Sequence, residues 1–300
     1  MTIPGLKSIR HSEGFVFIAP AVVIFIAFVA VPVVGTVVTS FVVWDGIDRP
    51  VFNGLGHFVR ALTSDPILAR SFANNLIYFV ATLVLEVVYG LALALTLNRR
   101  GKTAAICRAV LFSPMMLSGV VIGLLWRFAY HPSSAVGLAN GALSAIGLDG
   151  WTQPWLAQTG TALAAICLTS GWAYAGFYMI LFHAALQRIP NELYEAAALD
   201  GASWLKTFWG ITLPLLKETT FVSVLLCFTG AFKAFDLIYV MTDGEPHHTT
   251  EIVTTWLIKE AFDRGHLGYG SAIAVLLMIV ISAGAWALTR KSSFKPAMEY

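Results

Sequence analysis

Residues 190–214, PNELYEAAALDGASWLKTFWGITLP, lie between two long apolar runs and are too polar and too interrupted to cross a bilayer. Pro190 suits the first turn of a helix, where its missing N–H costs nothing. Glu192 and Glu195 place negative charge near the positive end of that helix. Leu193, Ala196, Ala197 and Leu199 give it a small, mostly apolar face, and Gly201 supplies a natural C-terminal stop. Ser203 can cap a second helix carrying Trp204, Phe208 and Ile211, which Pro214 ends or kinks. The stretch therefore predicts two short helices joined at Gly201. Its alanine run, Ala196 to Ala198, lets another surface approach closely. Such a knob, held between two spans, is presented to something outside the membrane.

The flanking sequence supplies the membrane. The chain has 300 residues, 57% hydrophobic and only 12% charged, against about 25% charged in soluble domains. So few charges cannot cover a water-facing surface, which implies an integral membrane protein. The net charge of +2 is too small to suggest nucleic acid as a partner. Cys107, Cys167 and Cys227 each sit in or beside an apolar run, with no CxxC spacing, and read as small packing residues. Phe15 to Val43 is too long for a signal peptide and lacks a small-residue cleavage site, so it reads as a retained span.

Six segments reach spanning length: 15–43, 73–97, 106–130, 160–186, 219–241 and 268–289. Runs such as LALALTL and AVLLMIVI are too continuous for barrel strands, so the expected fold is all-α, with six transmembrane helices and the 190–214 element between the fourth and fifth. Most of the 19 basic residues fall on one side: Lys7, Arg10, Arg99, Arg100, Lys102, Arg108, Arg188, Lys206, Lys217, Arg290, Lys291 and Lys295. Positive charge marks the cytoplasmic side, which places both termini, the N-terminal segment 1–14 and the 187–218 loop in the cytoplasm of a multi-pass inner (plasma) membrane protein. In the outer loop 242–267, a short helix over Glu251 to Phe262 is expected. It either folds against the mouth of a pathway or lies at the interface, anchored by Trp256.

No catalytic or metal constellation is present. GxxxxGK[ST], GxSxG and HExxH are all missing, and His247–His248 read as solvated loop residues. Charges inside spans mark a cavity or a partner. Glu86 suits an interhelix hydrogen bond, and Arg127 suits snorkelling to the outer interface. Lys233 and Asp236, three apart, share a helix face on this reading and either pair with each other or line a hydrated pocket. Trp172, Tyr174, Phe177 and Tyr178 cluster beside Gly171 and Gly176, as an interfacial belt or as a platform for a solute with apolar faces and many hydroxyls.

The spacing of the knob is more specific. Glu195-Ala196-Ala197, three residues, Gly201, nine residues, then Ile211-x-Leu213-Pro214 matches the EAA signature of ABC-importer permeases at every position. FSPMMLSGVVIGLLWRFAYHP (112–132), AFKAFDLIYVMTDGEP (231–246) and LGYGSAIAVLL (267–277) resemble other stretches of the carbohydrate-type, maltose and multiple-sugar permeases, in the same order. One departure is Asp243-Gly244-Glu245-Pro246, where the family carries more glycine. The resemblance implies one type I permease domain over 1–300, with Glu195, Ala196, Ala197, Gly201, Ile211, Leu213 and Pro214 as the coupling element. It implies four kinds of partner: a second, usually different permease subunit, two copies of a cytoplasmic ABC ATPase, an extracytoplasmic solute-binding protein and a sugar substrate. ATP and Mg would be used by the ATPase, and this chain would bind no cofactor and perform no chemistry. The resemblance also points to Tyr178, Gly230, Ala231, Lys233 and Ala234 as pathway residues, joined on physical grounds by Trp172, Tyr174 and Asp236. Where relatives carry amides this chain has Ala and Lys, so the solute need not be maltose, and Lys233 keeps a glycerol phosphate open. An ion-coupled transporter lacks the internal repeat it would need, and a membrane enzyme using Glu86, Asp236 or His183 lacks a spaced nucleophile or metal set.

Overall fold

The structure, a computed structural model, describes residues 11–99 and 101–291. Lys7, Arg10, Arg100 and Lys295, and with them most of the 1–14 segment, lie outside the described residues. Helices dominate. Four are long and apolar enough to cross a membrane, and two further pairs qualify when each bent pair is taken together. The chain divides into two compact units, one of residues up to Ser64 with Leu257–Leu276, the other of Asp65–Trp256 with the residues from Leu277 on.

The first unit holds α1 (Ile18–Thr39), the two-residue strands β1 (Val42–Val43) and β2 (Val51–Phe52), and α2 (Gly56–Thr63). The expected first span reached Val43. The helix instead stops at Thr39, and Val42 and Val43 pair antiparallel with Phe52 and Val51. None of the apolar window of α1 is buried, so its Ile, Val and Phe side chains face outward, as lipid allows and water would not. A buried carboxylate ties the unit together. Glu260 receives Arg60 at 3.4 Å, His266 at 3.0 Å and Arg264. The Arg60 guanidinium also lies 3.9 Å from the Tyr269 ring centre. His57 Nε2 meets the Val42 carbonyl at 3.0 Å, and burial holds its ring below the ordinary histidine range.

The second unit begins at α3 (Pro66–Thr96), whose start is fixed by Asp65: its carboxylate accepts from Leu68 N at 2.8 Å, and Pro66 opens the first turn. The span therefore starts earlier than the expected residue 73. Next come α4 (Lys102–Met116) and α5 (Gly119–Ala129), then α6 (Leu138–Ala145) and α7 (Ala162–Leu186). The expected third span, 106–130, is bent by 101° between α4 and α5, where Ser118 caps a new helix by accepting from Val121 N. The chain continues with α8 (Asn191–Leu199), α9 (Trp204–Leu215), α10 (Lys217–Lys233), α11 (Asp236–Met241), α12 (Val253–Ile258) and α13 (Leu267–Lys291), the last two running across the division between the units.

Helix α7 is the centre of this unit, with 67% of its apolar window buried. Small residues let its neighbours close in. A Cβ on Gly176 would sit 2.0 Å from the Leu111 carbonyl oxygen of α4, and one on Gly90 would sit 2.8 Å from the Tyr178 Cβ. Glycines read beside an aromatic cluster are thus helix-packing positions. Buried Asn140, on α6, organises the 131–159 loop. Its amide donates to the Pro132 and Gln153 carbonyls and accepts from Trp155 Nε1 at 2.8 Å.

Candidate functional site: a cavity at a broken helix and an exposed helical knob

The expected fifth span, 219–241, is not continuous. α10 ends at Lys233, Ala234 turns to an extended conformation, and α11 starts at Asp236. Lys233 and Asp236 therefore do not share a helix face. Among the described residues neither makes an ion pair, so the reading of the two as an i,i+3 pair is corrected. Side chains take over the backbone bonds that the break frees. Asn75, fully buried, donates to the Ala231 carbonyl at 2.9 Å and accepts from Val253 N at 2.9 Å. Thr254 donates to the Ala234 carbonyl. Irregular backbone at membrane depth is tolerated where it is satisfied in this way or lines a cavity.

A cavity of about 440 Å³ opens at this break. Tyr174, Tyr178, Gly230, Ala231, Lys233, Ala234 and Asp236 all line it, which brings together seven of the eight pathway residues expected from sequence. Trp172 does not. It faces away, half exposed, with its ring 5.5 Å from that of Trp126. α3 contributes a wall that sequence reasoning did not assign to the cavity: Tyr78, Thr82 and Glu86. Tyr78 OH donates to Ser170 Oγ at 2.8 Å, and Ser170 donates to Glu86 Oε1 at 2.7 Å. The interhelix bond expected for Glu86 is present, and the same carboxylate faces the cavity. It sits in a π-turn, Leu83–Val88, a local widening of the helix frequent at functional sites. The available signal was the lone charge in an apolar span. Gly119 closes the wall on the α5 side, where a Cβ would come 3.2 Å from Asp236 Cβ.

The second feature is the knob. α8 has no buried residue, and Leu199 is 90% exposed. Glu195, Ala196 and Ala197 lie on it. Its end is a Schellman turn: Ala202 N donates to the Ala197 carbonyl at 2.9 Å and Gly201 N to the Ala198 carbonyl at 3.1 Å. Gly201 has φ +68°, which glycine adopts without penalty. Ser203 caps α9, and Tyr194 OH meets Thr212 Oγ1 at 3.2 Å, tying the two helices. Ile211 and Leu213 are half-buried, with Pro214 exposed. α9 carries a π-turn, Phe208–Thr212, where Pro214 removes the bond to the Gly210 carbonyl. Pro214 does not itself end the helix; the 69° bend follows at Leu216, before α10.

In the 242–267 loop, Trp256 is buried and donates to Asp65 Oδ2 at 2.9 Å, so it is no interfacial anchor. His248 is not simply solvated either. Its Nδ1 lies 2.8 Å from buried Glu251, and its ring packs edge-on to Trp256. Arg127, at the exposed end of α5, reaches the Val240 carbonyl.

Residues 86–291 match the family described as binding-protein-dependent transport system inner membrane component. The chain belongs to this family. It is 39% identical over 272 residues to a probable ABC transporter permease protein, YurN, of Bacillus subtilis, covering 90% of this chain and 92% of that one. It is 33% identical to the trehalose/maltose transport system permease protein MalF of Thermococcus litoralis, covering 92% of each. A solved bacterial ABC transporter involved in the import of the acidic polysaccharide alginate shares the fold, with a TM-score of 0.82 at 22% identity over 96% of this chain and 97% of that one. The permease is thus a membrane component of a binding-protein-dependent transport system, and its outward apolar helices are the membrane-facing part of that system.

Proposed function

We propose that this permease forms one half of the pathway of an ATP-driven sugar importer. The observation that carries the reading is the cavity at the α10–α11 break. Its volume falls within the range of about 300–1,000 Å³ usual for small-molecule sites. Aromatic rings of Tyr174 and Tyr178 stand beside hydrogen-bonding groups from Glu86, Lys233 and Asp236, a combination suited to the apolar faces and hydroxyl edges of a di- or oligosaccharide. Similarity to the trehalose/maltose permease supports the same class.

On this reading the chain crosses the membrane six times, each bent pair being one span, with both termini and the 187–218 loop in the cytoplasm, and residues 1–300 form one permease domain. The knob α8–α9 seats in a cytoplasmic ABC ATPase. Glu195 offers a charged contact, Ala196 and Ala197 allow close approach, Gly201 makes the turn, and Ile211, Leu213 and Pro214 carry the motion to α10. Two ATPase copies, a second permease subunit and an extracytoplasmic solute-binding protein complete the machine. ATP and Mg act in the ATPase; the permease holds no cofactor and is not an enzyme. Closure of the ATPases moves the knob, and the spans alternate access to the cavity. Lys233, free of any ion pair among the described residues, supports a second reading in which the solute is a glycerol phosphate.

Uptake of labelled sugars and of glycerol 3-phosphate by cells carrying the complete transporter tests both readings. Tyr178→Ala is expected to abolish saturable sugar uptake while the protein still reaches the membrane. Uptake indifferent to ATP depletion, or no co-purifying ATPase, would overturn the proposal.

A further inference from the structure

A second cavity of about 440 Å³ lies apart from the pathway, where two spans end. It is lined by Asn98, Arg99, Arg108, His183, Gln187 and Asn191, with apolar contributions from Leu186 and Ile189. Its polar lining contains two guanidiniums, three amides and an imidazole, and no Asp or Glu. Nothing on the wall neutralises the arginines. Arg108 spends one N–H on the Leu97 carbonyl at 2.6 Å, which caps the end of α3 and fixes the guanidinium in place with four donors left over. Arg99 makes no hydrogen bond or ion pair among the described residues. His183 uses Nε2 on Gln187 at 3.1 Å, leaving Nδ1 buried without a partner among the described residues. A cavity of this charge without a counter-charge is incomplete.

Its depth indicates what completes it. The apolar stretch of α3 ends at Thr96 and that of α7 at Leu186, and the lining residues follow or bracket those ends. The cavity therefore sits at the level where hydrocarbon gives way to headgroups. We propose that it is a phosphate site, filled by the headgroup of an anionic phospholipid held between the ends of α3, α4 and α7. Two arginines supply the planar, multi-donor geometry that phosphate oxygens favour, and the amides match a headgroup's hydroxyls. Basic pockets between spans at this depth are a general means of lipid recognition. This site requires no assumption about the transported solute.

The test uses the full chain in its assembled transporter, reconstituted in nanodiscs of phosphatidylcholine with or without phosphatidylglycerol, with retained lipid counted by native mass spectrometry. Phosphatidylglycerol is expected to be retained selectively. Arg99→Gln and Arg108→Gln should each weaken that retention about five-fold, the equivalent of about 1 kcal/mol per basic residue at an anionic surface. Lys102→Gln, on exposed α4 surface outside the cavity, should leave it unchanged. Arg99 supports no other group, so its variant remains informative if Arg108→Gln loses the α3 cap and misfolds. A parallel arm titrates inorganic phosphate in phosphatidylcholine alone and reads thermal stability. A phosphate-dependent, Arg99-dependent gain without any lipid selectivity would keep the phosphate site and assign it to free phosphate. No selectivity and no phosphate effect would overturn the proposal, as would an equal loss in Lys102→Gln.

Discussion

The knob and the cavity are built from opposite materials. The knob has no buried residue in α8 and only Thr212 buried in α9, and the bonds that shape it join residues close in sequence: Ala202 to Ala197, Lys206 to Ser203, Tyr194 to Thr212. The cavity draws its walls from α3, α4, α5, α7, α10 and α11, and most of its bonds span 84 residues or more, as from Glu86 to Ser170 and from Asn75 to Ala231 and to Val253. On the proposed reading, a surface that meets another protein is fixed locally and left unfilled. A surface meant to enclose something is fixed at long range. One substitution made in both regions should therefore fail for different reasons.

Glycine to alanine is that substitution, and its largest effect is expected where α7, the helix that carries Tyr174 and Tyr178 to the cavity, packs on α4. The added Cβ of Gly176→Ala meets the Leu111 carbonyl oxygen at 2.0 Å, a backbone atom that cannot swing aside. Separating α4 from α7 is expected to cost about 3 kcal/mol or more, at or beyond the upper end of overpacking penalties. The check is a thermal melt of purified protein. A melting temperature within error of the parent would show that the α4–α7 contact is slack, and the contrast between the regions would fail.

The next effect tests long-range wiring. Asn75→Leu keeps the heavy-atom count and branching of asparagine and strands two buried backbone groups, the Ala231 carbonyl and the Val253 amide. Each is expected to cost about 1–3 kcal/mol. Because those groups hold the helix break open, the KM for uptake is expected to rise along with the loss of stability. Stability loss with an unchanged KM would separate the break from the cavity it lines.

In the knob the same change has a smaller, purely conformational cost. At Gly201 a Cβ meets nothing within 4 Å, so space is not what selects glycine. The φ of +68° is. Gly201→Ala is expected to lose about 1–2 kcal/mol from the left-handed backbone, and Gly201→Asn less, since asparagine tolerates that region. A bulky Gly201→Leu should fold nearly as well as Gly201→Ala by itself, yet lose co-purifying ATPase, because only a partner seated on the knob would feel the side chain. Equal ATPase recovery in the alanine and leucine variants would mean that no surface closes over the turn.

These differences explain what was legible in sequence. The knob's caps, stop and spacing are local signals, so its two helices and their junction follow from residues 190–214 alone. Most span positions follow too, since length and apolarity are properties of one segment. The break at Ala234–Phe235 was hidden because KAFDLIYVM contains neither glycine nor proline, and Asn75, which takes up the freed Ala231 carbonyl, lies 156 residues away. The bend at Leu117–Ser118 carried local signals in Pro114, Ser118 and Gly119, which apolar length alone did not weigh. Trp172 was misplaced because aromatic clustering along a helix does not say which face each ring takes. Glu86 was singled out as a charge within a span and an interhelix hydrogen bond was expected for it, while the partner, Ser170, and its position on the cavity wall depended on helix packing.

The smallest effect is also the sharpest test of the break. A continuous helix would put Lys233 and Asp236 on one face, as a pair shielded from water with a large mutual attraction. A break after Lys233 separates them, and among the described residues neither has a charged partner. In a double-mutant cycle of Lys233→Met and Asp236→Asn, the stability changes should then add to within about 0.3–0.5 kcal/mol, as for residues that do not interact. Uptake should behave differently. Two groups facing one cavity can both contact a bound solute, so the single variants should each raise KM, and their effects on uptake need not add even while their effects on stability do. Coupling in stability well above that range would restore the continuous helix and close the cavity as described. Additivity in stability with coupling in uptake would tie the two side chains together through the solute rather than through each other.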